Sequence, residues 1–169
     1  STDNGSNWTT ITTANLRDVA FGNSTFVACG ANGAVYESAN GSSWTSRTSG
    51  ASGNTLNGIT FGNNLFFAVG SSGTLIKSTD SGTNWDTSPD STVTTNLYSI
   101  AYGNNIFVAI GSNTVIASSD NTGSTFGIKE TNYSFNDVTF GNGVFVAVGP
   151  DEKIYTSTDG DTWTKVHGK

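Results

Sequence analysis

The sequence predicts an all-β chain folded as a β-propeller of four four-stranded blades, each of roughly 40 residues. Three observations lead there. The stretch Phe61-Gly62-Asn63-Asn64-Leu65-Phe66-Phe67-Ala68-Val69-Gly70, followed by Gly73-Thr74-Leu75-Ile76-Lys77-Ser78-Thr79-Asp80 and Trp85, recurs in near-copies along the chain. Its apolar residues fall in short runs bounded by Gly, Asn, Ser and Thr, which is the pattern of strands and turns rather than helical stripes. The heads of successive copies, Leu16, Leu56, Leu97 and Phe135, are separated by about one blade length. The 169 residues are read as a single domain, long enough to bury a core without disulfides or metals.

Residues 1–15 form the tail of a unit whose head is missing, ending in a β-prone stretch from Trp8 to Thr13. Blade 1 is assigned to 16–50, blade 2 to 51–90, blade 3 to 91–130 and blade 4 to 131–169. In blade 2 the first strand carries the head, Leu56 to Phe61, and Gly62-Asn63-Asn64 supplies residues that tolerate positive φ in the following turn. The second strand, Phe66 to Val69, is apolar on both faces and should be covered on both. The third passes through Leu75 and Ile76, the Ser-Thr-Asp turn follows, and Trp85 opens an outer strand at the rim.

Composition narrows the function classes. Only 12% of the residues are charged, and a net charge of −6 with seven Lys and Arg argues against nucleic acid or an anionic membrane as partner. No apolar run approaches a membrane span, so no membrane insertion is expected. Cys29 is the one cysteine and occupies the slot of Val69, Ile110 and Val148, which reads as a buried small hydrophobe. With no Met in the chain, the expectation is that Ser1 arose by processing or by excision from something longer.

A turn motif, Ser-x-Asp-x-Gly-x-x-Trp, stands intact at Ser1–Trp8 and Ser78–Trp85. It is one residue shorter at Ser38–Trp44, with Asn40 for Asp, and at Ser157–Trp163, and longer at Ser118–Phe126. This resembles the Asp-box, or BNR repeat, of sialidases, some glycoside hydrolases and the photosystem II assembly factor family. The resemblance implies a propeller and a structural role for Asp3, Trp8, Asn40, Trp44, Asp80, Trp85, Asp120, Phe126, Asp159 and Trp163. A short carboxylate or amide accepts backbone N–H groups of its own turn while the ring packs between blades. The sialidase-type arginine cluster cannot be built from Arg17 and Arg47, and the Arg-rich patch of the assembly factors is likewise missing. The acidic Asp151, Glu152, Asp159 and Asp161 do not read as a calcium site, because Asp151 and Asp159 bracket one strand.

Comparison of the four copies separates what the fold needs from what is free to differ. The turns between second and third strands and the connections between blades vary in length and chemistry, and they share a face with the strand heads. There Arg17 and Asp18, Asn57 and Gly58, Tyr98 and Ser99, and Asn136 and Asp137 are equivalent pairs. They form a candidate polar ring for a sugar or a peptide loop, with Tyr133, Asp90 and Glu130 as extensions. Asp18 and Asp137 could meet across a channel as a carboxylate pair for glycosidase chemistry, although carboxylates at a channel mouth are more often solvated or hydrogen-bonded. Sequons at Asn4, Asn23, Asn40 and Asn132 are candidate glycosylation sites in exposed turns.

These readings converge on a non-catalytic, extracellular or cell-surface module that binds glycan or protein through its variable face, without cofactor or metal. The alternatives are a structural subunit of a larger propeller or filament joined through terminal strands, and a degenerate glycoside hydrolase. Trp8–Thr13 and Trp163–His167 compete for one strand position in a closed ring. An open arc would instead need another chain, giving a homo-oligomer.

Overall fold

Each copy of the repeat folds into one antiparallel sheet of four strands joined in chain order. Blade 1 holds β1 (Leu16–Gly22), β2 (Thr25–Gly30), β3 (Val35–Ser38) and β4 (Thr45–Arg47). Blade 2 holds β5 (Leu56–Gly62), β6 (Leu65–Gly70), β7 (Leu75–Ser78) and β8 (Asp86–Thr87). Blade 3 holds β9 (Leu97–Gly103), β10 (Ile106–Gly111), β11 (Thr114–Ser118) and β12 (Phe126–Glu130). Blade 4 holds β13 (Asp137–Gly141), β14 (Val144–Val148), β15 (Ile154–Ser157) and β16 (Thr164–His167). The structure is a computed structural model describing residues 6–10, 12, 14–87, 93–118, 122–124, 126–130 and 133–168.

The first hairpin of every blade turns on two residues of left-handed backbone. In blade 2 they are Asn63 (φ 47°) and Asn64 (φ 60°), and in blade 3 Asn104 (φ 47°) and Asn105 (φ 61°). Consecutive positive φ values match the right-handed twist of the flanking strands, and asparagine adopts them at little cost.

The blades stack through alternate side chains of the second strand. Val27 and Cys29 of β2 share a core with Leu56, Ile59, Phe66 and Ala68 of blade 2. The other face of β6, Phe67 and Val69, packs with Leu97, Ile100, Phe107 and Ala109 of blade 3. Val108 and Ile110 then pack with Phe135, Val138, Phe145 and Ala147 of blade 4. This is why β6 is apolar throughout, and why Phe66 and Phe67 are both fully buried although they point to opposite sides. Cys29 lies wholly inside the first of these cores, and burial pushes its thiol up to about 12.

A second device locks the junctions. In blades 1 to 3 the glycine ending the first strand is a socket for the aromatic ring of the next blade. A methyl group on Gly22 would stand 2.1 Å from Phe61 Cγ, on Gly62 2.0 Å from Tyr102 Cγ, and on Gly103 2.1 Å from Phe140 Cγ. In blades 2 and 3 the Gly of the Ser-x-Asp turn does the same for the second strand of the preceding blade, since a methyl on Gly82 would stand 2.6 Å from Val27 Cγ2 and on Gly123 2.2 Å from Phe67 Cε2.

The series stops at blade 4, where nothing lies within 4 Å of a methyl placed on Gly141. Phe21, the ring with no socket among the described residues, is 58% exposed. The described residues therefore form an open arc. Thr164–His167 pairs with β15 as the fourth strand of blade 4, no strand forms at the described residues of 8–13, and the arrangement follows the open-arc alternative rather than the closed ring in which the two ends would compete. One correction concerns the tryptophans. Trp44, Trp85 and Trp163 close their turns, and the outer strands begin one residue later.

Candidate binding site

The heads of β1, β5 and β9 are bulged. Leu16 pairs with Gly30 and Asp18 with Cys29, which leaves Arg17 as the extra residue. Asn57 is extra between Leu56 and Gly58, and Tyr98 between Leu97 and Ser99. A bulge takes a side chain out of the in–out alternation and re-aims it. Sequence reasoning missed these bulges, although a signal was present. Leu56 and Ile59 both enter the same core although they stand three positions apart, a spacing that strict alternation forbids.

Two of the re-aimed residues, Arg17 and Asn57, bond sideways across the arc. Arg17 Nη1 donates to Asn57 Oδ1 at 3.0 Å, and Asn57 Nδ2 donates to the Leu97 carbonyl at 2.7 Å. The Tyr98 hydroxyl lies 2.7 Å from Ser112 Oγ. One position further along, Asp18 accepts from the Val19 N–H on one oxygen and from the Ile59 N–H of the next blade on the other, both at 2.8 Å. Ser99 Oγ donates to Asp137 Oδ1 at 2.7 Å and accepts from Val138 N–H. Burial pushes the Asp18 carboxyl above the ordinary carboxylate range; its two N–H partners oppose the rise, and the Asp137 charge adds to it.

Arg17, Asp18, Asn57, Ser99 and Asp137 therefore sit at blade junctions, while Tyr98 bonds within its own blade. Arg17, Asn136 and Asp137 are exposed, while Asp18, Asn57, Tyr98 and Ser99 are half-buried and committed to neighbours. The variable turns do share this face. The N–H groups of Ala31, Ser71 and Ser112 donate to the carbonyls of Asn15, Thr55 and Asn96, the residues preceding each head. Asn96, absent from the sequence-based set, also accepts the Ser72 N–H at 3.0 Å. The face offers a guanidinium, amides, hydroxyls and carboxylates on a rigid frame, which suits hydrogen bonding to a peptide backbone or a hydroxylated ligand. The carboxylate pair is held by backbone and serine donors, so its first use is structural. Arg47 stands away from Arg17, paired with Glu37 on the rim.

The Ser-x-Asp turns lie on the opposite face and are self-contained. Asp80 Oδ1 accepts from Asn84 N–H at 2.8 Å and from Ser78 Oγ at 2.9 Å, and the Trp85 indole N–H donates to the Gly82 carbonyl at 2.8 Å. Asn40 accepts from the N–H groups of Ser42 and Ser43, and Asp159 from those of Asp161 and Thr162. The donors hold Asp80 and Asp159 below the usual carboxylate range, the largest contributions being the Asn84 and Thr162 N–H groups. Trp44 and Trp163 repeat the indole bond, Phe126 is buried, and Trp8 is 80% exposed. The predicted Asp3, Asp120, Asn4, Asn132 and Asp90 lie outside the described residues. Asn23 and Asn40 are exposed, Asp151 is bonded by Lys153, and Tyr133 stacks on Tyr155 under the Lys153 ammonium.

Comparison with known proteins agrees with this architecture. The family model described as the DUF6242 beta propeller domain matches residues 2–135. Among solved structures, YCF48 bound to D1 peptide is similar at a TM-score of 0.73 and 24% identity, over 94% of this chain and 56% of that one. YCF48 from Cyanidioschyzon merolae gives 0.70 and 18%, over 95% and 58%. The computationally designed Ika4 protein gives 0.66 and 13%, over 87% and 92%. The chain thus spans a little over half the length of the two YCF48 structures. No curated protein sequence matches it.

Proposed function

The chain belongs to the DUF6242 beta propeller family, and on that fold we propose that it is a non-catalytic module holding a peptide segment of a protein partner across its strand heads. The observation that carries the reading is the track of bulged residues, Arg17, Asn57 and Tyr98, continued by the exposed Asn136 and Asp137. Three bulges on one face take polar groups out of the in–out alternation, and Arg17 among them stays exposed. Support also comes from YCF48, a structure of the same fold that carries a D1 peptide. Kinship with Asp-box (BNR) propellers belongs to the same reading, supported by the turn chemistry at Ser78–Trp85.

The test is a peptide array probed with the protein and with Arg17→Ala and Tyr98→Ala, each shown to be folded by circular dichroism. Peptide binding that falls roughly tenfold or more in both variants supports the proposal. Binding confined to a parallel glycan array, or peptide binding indifferent to both substitutions, removes it. An extracellular or cell-surface setting is proposed with it, supported by the exposed sequons at Asn23 and Asn40. Unmodified Asn23 and Asn40 in material from the natural source would withdraw that support.

A further inference from the structure

On the face of the Ser-x-Asp turns, the rim between blades 1 and 2 holds a cavity of about 270 Å³. Its walls come from β2, β3, β4 and the turn of blade 2, all within residues 25–83, so it lies between two complete blades. Apart from Ala39, every residue lining it carries a hydroxyl or a carboxylate. Ser38 Oγ is engaged in its own turn, accepting from Gly41 N–H at 2.9 Å, and Thr83 Oγ1 donates to Glu37 Oε2 at 3.2 Å. Among the described residues, the hydroxyls of Ser43, Thr45 and Ser81 have no protein partner.

The junction of blades 3 and 4 shows why the space is open here. Arg47 pairs with Val35 as Lys129 pairs with Val115, and those valines pair with the equivalent Cys29 and Ile110. Thr83 and Asp161 are equivalent too, each following the glycine of its Ser-x-Asp turn. Lys129 crosses to the next blade, where its Nζ donates to the Asp161 carbonyl at 2.7 Å and stands 3.7 Å from the Asp161 carboxylate. Arg47 does not cross. It is drawn back by an ion pair with Glu37 of its own blade, where blade 3 has Ala117, and its Nε is left buried with no acceptor among the described residues. A buried polar atom without a partner calls for a reason, and withdrawal of the guanidinium is what keeps the crossing open. The blade 2 turn is also one residue longer than those at Ser38–Trp44 and Ser157–Trp163. The extra residue, Ser81, holds a left-handed backbone (φ 62°) that glycine would adopt without strain, and it lines the cavity.

We infer that this cavity binds one neutral sugar residue through its hydroxyls. Among the residues lining it Glu37 alone is charged, and Arg47 neutralises it, so nothing in the wall selects a cation or an anion. Held by Arg47 and Thr83, the Glu37 carboxylate is a fixed acceptor, while the hydroxyls of Ser43, Thr45 and Ser81 both donate and accept. A compact array of hydroxyls is the ligand that answers both roles. The volume falls just short of the roughly 300–1,000 Å³ of sites for drug-sized ligands, which suits a single ring. This site lies on the face opposite the strand heads, and the inference does not rest on the peptide reading.

The experiment is titration of the 169-residue chain with the methyl glycosides of glucose, galactose, mannose and N-acetylglucosamine, followed by assigned amide NMR spectra, with glycerol as the control. At least one glycoside is expected to give saturable shifts centred on the amides of Thr45, Ser81 and Thr83. The same titration is run on Ser81→Gly and Thr45→Val, alone and combined. Glycine suits the left-handed backbone at position 81 and valine suits a strand, so both variants should fold, which circular dichroism checks. Loss of either hydroxyl should raise the dissociation constant roughly two- to tenfold, and loss of both should raise it further. The inference is overturned if no glycoside gives saturable shifts, if the shifts centre on the strand heads, if glycerol acts as strongly as the sugars, or if the combined variant binds like the wild type.

Discussion

Replacing Asp80 by alanine should cost about 1–2 kcal/mol, and replacing it by asparagine should cost far less. Asp80 receives Asn84 N–H at 2.8 Å, Ser78 Oγ at 2.9 Å and Asn84 Nδ2 at 2.6 Å. Hydrogen bonds to a charged group are worth roughly 1.5–3 kcal/mol net when sheltered. Asp80 is exposed, so solvent screening lowers that figure towards the ~1 kcal/mol typical of a lost cap. The control is built into the chain: Asn40 holds the equivalent turn through two N–H groups at 2.9 Å each, so an amide oxygen suffices for the geometry. For a chain of this size the alanine variant should melt roughly 2–8 °C lower.

The pH dependence follows from the depressed carboxyls. Asp80 and Asp159 have folded-state pKa values below the unfolded ones, so their stabilisation is fully present above about pH 4 and is lost as pH falls through the folded values. Asp80→Asn should therefore flatten the acid limb of a thermal melt followed by circular dichroism, while Asp80→Ala lowers the curve at neutral pH. Equal destabilisation by the two substitutions at pH 7 would refute the hydrogen-bond account of the turn.

Gly62→Ala should destabilise by about 1–3 kcal/mol, because its methyl falls 2.0 Å from Tyr102 Cγ and the ring must retreat; denaturant unfolding measures it, and a neutral result would mean the socket is softer than it looks. Asp18 behaves oppositely to Asp80: its raised carboxyl pKa means that protonation favours the folded state, so it contributes rising stability as pH falls through its folded value towards the unfolded one. Asp18→Asn should abolish that rise in urea midpoints measured across mildly acidic pH, and an unchanged profile would assign the rise elsewhere. Cys29 should resist a thiol reagent in the native protein and react only on unfolding, since it is fully buried with its thiol pushed up to about 12; rapid native labelling would contradict the junction packing.

What was legible in the amino-acid order is what neighbouring residues settle between themselves. The Asn63-Asn64 turn and the Ser78–Trp85 turn are closed by partners at most four positions apart, so their chemistry can be read directly. Recurrence of the pattern then determined the number of blades, and the apolar run of β6 determined that both its faces would be covered. The site residues were found as a set of equivalent positions, but not their conduct. That Arg17 reaches Asn57, or that Ser99 reaches Asp137, depends on contacts about 40 positions apart, and the bulges that make them possible arise only when strands pair.

Whether the chain closes on itself was equally out of reach, since two candidate outer strands looked alike as residues. The tertiary structure decided it, because the angle between stacked blades accumulates over the whole chain and no local pattern contains it. Composition alone determined a repeating sheet protein, acidic and turn-rich. Three-dimensional packing decided that its fourth socket, at Gly141, is open and that its first ring, at Phe21, is outside.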